Sequence, residues 1–140
     1  MSAIIRLAAM ICGLALSHAT AADPNMRPGL WETTVRTEMA GMPMQMPPVT
    51  HRQCLREEDL VPQVESSDQE CRVVDQKTEG NSVSWRIECK SEDMQMDGRG
   101  QLTYAGDAYK GRVEIQTSGG QMGDMTMVQK LEGQRLGECP

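Results

Sequence analysis

The chain contains no phenylalanine, and two tryptophans and two tyrosines supply all of its aromatic surface. A core with so few rings must be filled by smaller or unbranched apolar side chains, and it gains from covalent cross-links worth about 2–4 kcal/mol each. Histidine is as scarce: beyond the first twenty residues only His51 occurs. A nucleophile–base pair needs a base of suitable pKa beside a Ser, Cys or Thr, and His51 and Cys54, three apart on a strand, point to opposite faces. A four-ligand zinc site would consume nearly every suitable side chain. No C-x-x-C pair occurs, so the four later cysteines read as structural rather than redox-active or metal-binding. The formal charge is −6 with no Lys/Arg cluster, which argues against nucleic acid, since that binding rests on phosphate neutralisation. No stretch is long and apolar enough to cross a bilayer, which takes about 20 residues.

What is present starts with Arg6, an apolar run from Leu7 to Leu16 and a small-residue exit, Ala19-Thr20-Ala21. This three-part layout predicts a secretory signal peptide, residues 1–21, cleaved after Ala21, leaving a single domain at 22–140. Cys12 follows Ile11 inside the apolar run, an unsuitable context for lipid attachment, and leaves with the leader. The mature chain keeps Cys54, Cys71, Cys89 and Cys139. In an oxidising compartment these predict two disulfides, with three connectivities allowed.

Alternation with period two dominates the rest. Trp31, Val35 and Met39 alternate with Glu32, Arg36 and Glu38, as do Val83, Trp85, Ile87 and Cys89 with Ser84, Arg86 and Glu88. Gly111, Val113 and Ile115 do the same against Lys110, Arg112 and Glu114. Such runs are antiparallel strands with one solvated face. Turn signals at Glu79–Ser82, Ala105–Ala108 and Ser118–Gln121 separate them, and consecutive hairpins imply a meander. The spacing predicts an all-β domain with about seven strands, near 30–39, 48–54, 71–78, 82–90, 96–104, 108–117 and 124–134. One short helix is expected within Leu55–Val64, stopped by Pro62.

Folding the hairpin about Gly80 and Asn81 sets Cys71 opposite Cys89, so local geometry favours Cys71–Cys89. Cys54–Cys139 follows by elimination. A bond between the second strand and the carboxy-terminal end suggests a strongly curved sheet or a small barrel, whose closure would protect the edges.

Pro28-Gly29-Leu30-Trp31-Glu32, the Met/Pro loop after it, Gln53-Cys54-Leu55 before Glu58-Asp59-Leu60, "VSWRIEC", "GQLTYAGDAYKGRV" and the terminal Leu136-Gly137-Glu138-Cys139 together resemble the bacterial exported proteins grouped as domain of unknown function 3617. The likeness covers nearly the whole mature chain and departs at Arg56-Glu57, where the family pattern has Thr-Pro. The resemblance implies a periplasmic destination and no established activity.

Acidic residues are plentiful, but Glu32, Glu38, Glu88 and Glu114 fall on polar faces, where a solvated surface is the plain reading and a glycosidase-like pair has no support. The expectation is a protein that is not an enzyme and needs no cofactor. The methionines say more. Met39, Met42, Met44 and Met46 stand among Pro43, Pro47 and Pro48, and thioethers suit both an adaptable apolar surface and soft cations such as Cu(I) or Ag(I). The prolines push Met42 and Met46 toward extended or polyproline conformations, in which only Met39 and Met42 bring their sulfurs together. The expected site is therefore an apolar ligand or envelope partner held by a concave face and this loop, through Met39, Met42, Met44, Met46, Trp31 and Trp85. The alternative is a metal held by Met42, Met44 and Met46, with the loop curled or with help from Met94 and Met96 or from Met122, Met125 and Met127. Met125 and Met127, in a predicted strand, read as core.

Overall fold

The computed structural model describes residues 24–42, 46–61, 70–121 and 123–140; the expected leader, Met1–Ala21, lies outside them. Among the described residues seven strands form: β1 (Gly29–Met39), β2 (Val49–Leu55), β3 (Glu70–Glu79), β4 (Ser82–Lys90), β5 (Met94–Tyr104), β6 (Ala108–Gly119) and β7 (Met125–Gly137). All pair antiparallel in one sheet of order β2-β1-β7-β6-β5-β4-β3. From β3 to β7 the chain meanders between neighbours, and the β1–β2 hairpin completes the sheet against β7.

The sheet ends on β2 and β3 and is open, which overturns the barrel alternative. Its edges are managed in other ways. On β3, Glu70, Arg72, Asp75, Lys77 and Glu79 place charge of both signs along the polar face, and the register shifts between Val73 and Asp75. Charge and bulges blunt an edge strand against further pairing. Each edge is also stapled: Cys71–Cys89 ties β3 to β4 at directly opposed positions, and Cys54–Cys139 ties β2 to the chain beyond β7.

Open though it is, the sheet draws its inner face together at one end. Trp31 on β1 and Tyr104 on β5 are three strand intervals apart, about 14 Å in a flat sheet. Their ring centroids lie 6.5 Å apart. Tyr109 lies between them, 5.4 Å from Trp31 and 5.5 Å from Tyr104. It crosses β7 above Gly133, its register partner, and its hydroxyl hydrogen-bonds Thr33 on β1. A Cβ on Gly133 would sit inside the Tyr109 ring, and one on Gly100 inside the Trp85 indole. Glycine is required at both positions because a large ring from the adjoining strand takes the space over it.

The Pro28-Gly29-Leu30-Trp31-Glu32 motif has a physical account. Gly29 adopts φ +148°, and the Arg135 guanidinium crosses where a side chain would stand, its Nε donating to the Pro28 carbonyl at 2.8 Å. A register shift between Leu30 and Trp31 follows. Trp31 then turns fully into the core, its indole N–H donating to the Arg27 carbonyl at 3.0 Å, while Glu32 faces out to Arg52 at 2.7 Å.

The helix expected over Leu55–Val64 does not form among the described residues of that stretch, 55–61, where Leu55 ends β2 and a turn follows. Asp59 holds the turn: its carboxylate accepts from the Arg56 N–H while its own N–H donates to the Arg56 carbonyl, both at 3.0 Å. The stretch goes no further toward helix because Leu55, Leu60 and Val61 are drawn onto the aromatic cluster, and such packing overrides local propensity. The Leu60 carbonyl is also engaged, accepting from the Tyr104 hydroxyl at 2.9 Å. Residues 62–64 lie outside the described set.

Candidate functional site

Register assigns the odd residues of β1, β6 and β7 and the even residues of β5 to one face, the face of Trp31. Along the strand direction, it divides into two halves. The first is the aromatic end: Trp31, Thr33, Leu131, Tyr109, Tyr104, Leu102 and Val83 are buried. Leu55 and Val61 belong to the same cluster, with Met26 and Leu60 packed against it, so the turn after β2 and the segment before β1 cover this end.

Burial has an electrostatic consequence here. It raises the ionisation of Tyr104 far above the ordinary phenol range, with the neighbouring Tyr109 adding to the effect. Tyr109 is raised by the same desolvation, which the Thr33 hydrogen bond partly offsets. Both phenols stay neutral and serve as packing surface, Tyr104 also donating to the Leu60 carbonyl.

The second half is built differently. One row crosses the sheet as Met39, Met127, Ile115, Gly98, Ile87 and Val73, every adjacent pair opposed in register. The next row reads Met125, Thr117, Met96, Cys89 and Cys71, the last two joined as cystine. Met39, Met96, Met125, Met127, Ile87 and Ile115 are all half-buried. The pairings thus assemble an apolar, sulfur-rich surface in which most side chains keep part of their area in contact with solvent.

The residues singled out from sequence are distributed unevenly over this plan. Met39 lies in the first methionine row. Trp31 is fully enclosed and Trp85 is 7% exposed over Gly100, so both belong to the packed core. Met42 and Met46 are exposed by 55% and 46%, and Met44 lies outside the described residues. Sequence reasoning offered Met96 and, separately, Met125 and Met127 only as help to a metal in the loop, and did not join them with Met39 and Ile115 as one surface. Their alternation gave the face of each strand, but the contact between β1 and β7, distant in sequence, is what brings Met39 to Met127.

The opposite face is polar. Glu32–Arg52 and Glu38–Lys130 each lie at 2.7 Å, Glu88 meets Arg72 at 2.9 Å and Arg86 at 3.0 Å, and Glu114 meets Arg112 at 3.9 Å. A trough of about 510 Å³ runs across this side, with Arg86, Glu88, Lys90, Asp97, Gln116 and Asp124 in its lining. Asp97 and Glu88 engage Arg86, and the Asp97 hydrogen bond and charge hold that guanidinium above its usual range. Charges of both signs that largely neutralise one another give the trough no preference for an ion. Among the described residues, no group of three or more His, Cys, Asp or Glu side chains could hold a metal, and no helix is long and apolar enough to cross a membrane.

A family model described as Protein of unknown function (DUF3617) matches residues 26–139. No curated protein and no solved structure matches the chain.

Proposed function

Because the chain belongs to the family described as Protein of unknown function (DUF3617), a membership that assigns no activity, we propose from its geometry that it is a non-enzymatic periplasmic binding module. It holds an apolar ligand, or an apolar segment of an envelope partner, on the methionine half of the inner face, flanked by the loop after Met39. One observation carries the reading: the row Met39–Met127–Ile115–Gly98–Ile87–Val73 is apolar across six strands yet half-exposed at most of its positions, while the aromatic half of the same face is sealed. Apolar surface left partly in water is a binding surface more often than a packing defect, and unbranched thioethers adapt to ligands of varied shape. The two disulfides suit an oxidising extracytoplasmic compartment.

Titration of the oxidised protein with an environment-sensitive naphthylamine probe tests this. The parent should enhance probe fluorescence. Ile115→Lys, which sets a charge in the middle of the row, and the milder Met127→Gln should reduce it, while Gln116→Lys on the opposite face should not. A parent without enhancement, or equal loss from Gln116→Lys, contradicts the proposal; near-ultraviolet circular dichroism confirms that each variant keeps its core.

A further inference from the structure

We infer that the methionine half also contains a soft-cation site, a thioether cluster for Cu(I) or Ag(I) formed by Met39, Met125 and Met127, with Met96 as the fourth sulfur within reach. This differs from a site in the Met/Pro loop and stands independently of the apolar-ligand reading. Met39 and Met127 are directly opposed on β1 and β7, a relation that places Cβ atoms about 5 Å apart. Met125 precedes Met127 by two residues on the same face, about 6.8 Å along the strand. Met96 lies two strand intervals from Met125, about 9.6 Å across the sheet and beyond Thr117, so it is the outlying sulfur of the group. Each side chain carries its sulfur on a flexible unbranched stem, so three thioethers from two adjacent strands can meet over a single ion.

The chemistry of the remaining donors narrows the cation. All four cysteines beyond the leader are oxidised to cystine, and His51 on β2 is exposed. The described residues hold no cluster of three His, Cys, Asp or Glu side chains. Hard and borderline ions therefore have no ligand set here, whereas thioethers select soft monovalent ions. The site has a route to solvent because Met39, Met96, Met125 and Met127 are all half-buried. The loop is a weaker alternative: Met42 turns back after β1, its N–H donating to the Met39 carbonyl at 3.4 Å, and its side chain is exposed by 55%.

The test uses the full mature chain with disulfides intact, titrated anaerobically with Cu(I) against bicinchoninate, with Ag(I) as a redox-silent check. The parent should retain one equivalent, with X-ray absorption showing sulfur-only coordination. Met39→Leu, Met125→Leu and Met127→Leu, which keep apolar volume, should each weaken binding by about tenfold or more, since even an outer-shell loss costs a metal site that much. Met42→Leu and Met46→Leu should bind as the parent does. A parent that yields all its Cu(I) to the chelator overturns the inference. So does loss of binding in the loop variants with retention in the sheet variants. The naphthylamine titration is read on metal-free protein, so failure of one reading is separable from failure of the other.

Discussion

The two halves of the inner face use the same strands and opposite materials. At one end, four large or branched side chains from three strands, Trp31, Tyr104, Tyr109 and Leu102, are at most 2% exposed. Glycines are spent beneath the rings, and the turn after β2 closes over them. At the other end, methionine and isoleucine occupy the equivalent positions beside the Cys71–Cys89 cystine and remain partly exposed. Rigid rings over glycine give one tightly specified packing; thioethers give a surface that can re-form around a guest. The difference separates the part of the sheet that holds the fold from the part available for binding.

Substitutions should break the two halves unequally. The largest effect is expected from Gly133→Val, whose side chain would occupy the Tyr109 ring. Its cost should exceed the roughly 1–3 kcal/mol of ordinary overpacking, enough to abolish a cooperative thermal transition. Trp31→Ala, emptying the most enclosed ring site, should cost about 3–5 kcal/mol in denaturant unfolding. Met127→Leu in the methionine half should cost less than about 1.5 kcal/mol. Comparable losses for the last two would erase the distinction.

The staples can be ranked too. Cys54–Cys139 closes a separation of 85 residues and Cys71–Cys89 one of 18, and chain entropy makes the longer closure worth about 1.4 kcal/mol more. Paired serine variants compared by urea midpoint should follow that order. Smaller again should be Lys130→Ala, which removes an exposed ion pair with Glu38 and should change stability by less than about 1 kcal/mol.

High pH probes the aromatic half alone. Both tyrosines of the chain are buried with raised folded-state ionisation, so the folded state binds protons that the unfolded state releases above the ordinary phenol value of about 10. Their contribution is intact below that value and falls as pH rises through the window toward the folded-state values. Tyrosinate absorbance should therefore appear late and together with unfolding. A gradual rise in a protein that keeps its near-ultraviolet dichroism would contradict the sealed-core account.

Much of the architecture was legible in the residues. Strict alternation in Ser82–Lys90 and Tyr109–Thr117 marked strands, and glycine-bearing turns marked the hairpins, so the seven strands lie within a few residues of their expected bounds. What escaped was non-local. The β1–β7 pairing joins positions about a hundred residues apart, and no periodicity encodes it; with it went the gathering of Met39 and Met127. Closure was the other open point: alternation fits a curved sheet and a barrel alike, and only the pairing, which ends on β2 and β3, separates them. Among residues 55–61 the expected helix gives way to a turn, because Leu55, Leu60 and Val61 pack on the aromatic cluster, a contact that local propensity does not encode. Trp31 drew attention as a rare aromatic, but its indole is spent on the Arg27 carbonyl.

The most direct measurement is methyl NMR of the methionines in the folded, oxidised protein during titration with the naphthylamine probe. The account predicts that the methyls of Met39, Met96, Met125 and Met127 shift together and saturate, while Met26, packed against the aromatic cluster, does not move. Shifts at Met26 with a silent methionine half, or none at all at saturating probe, would contradict it.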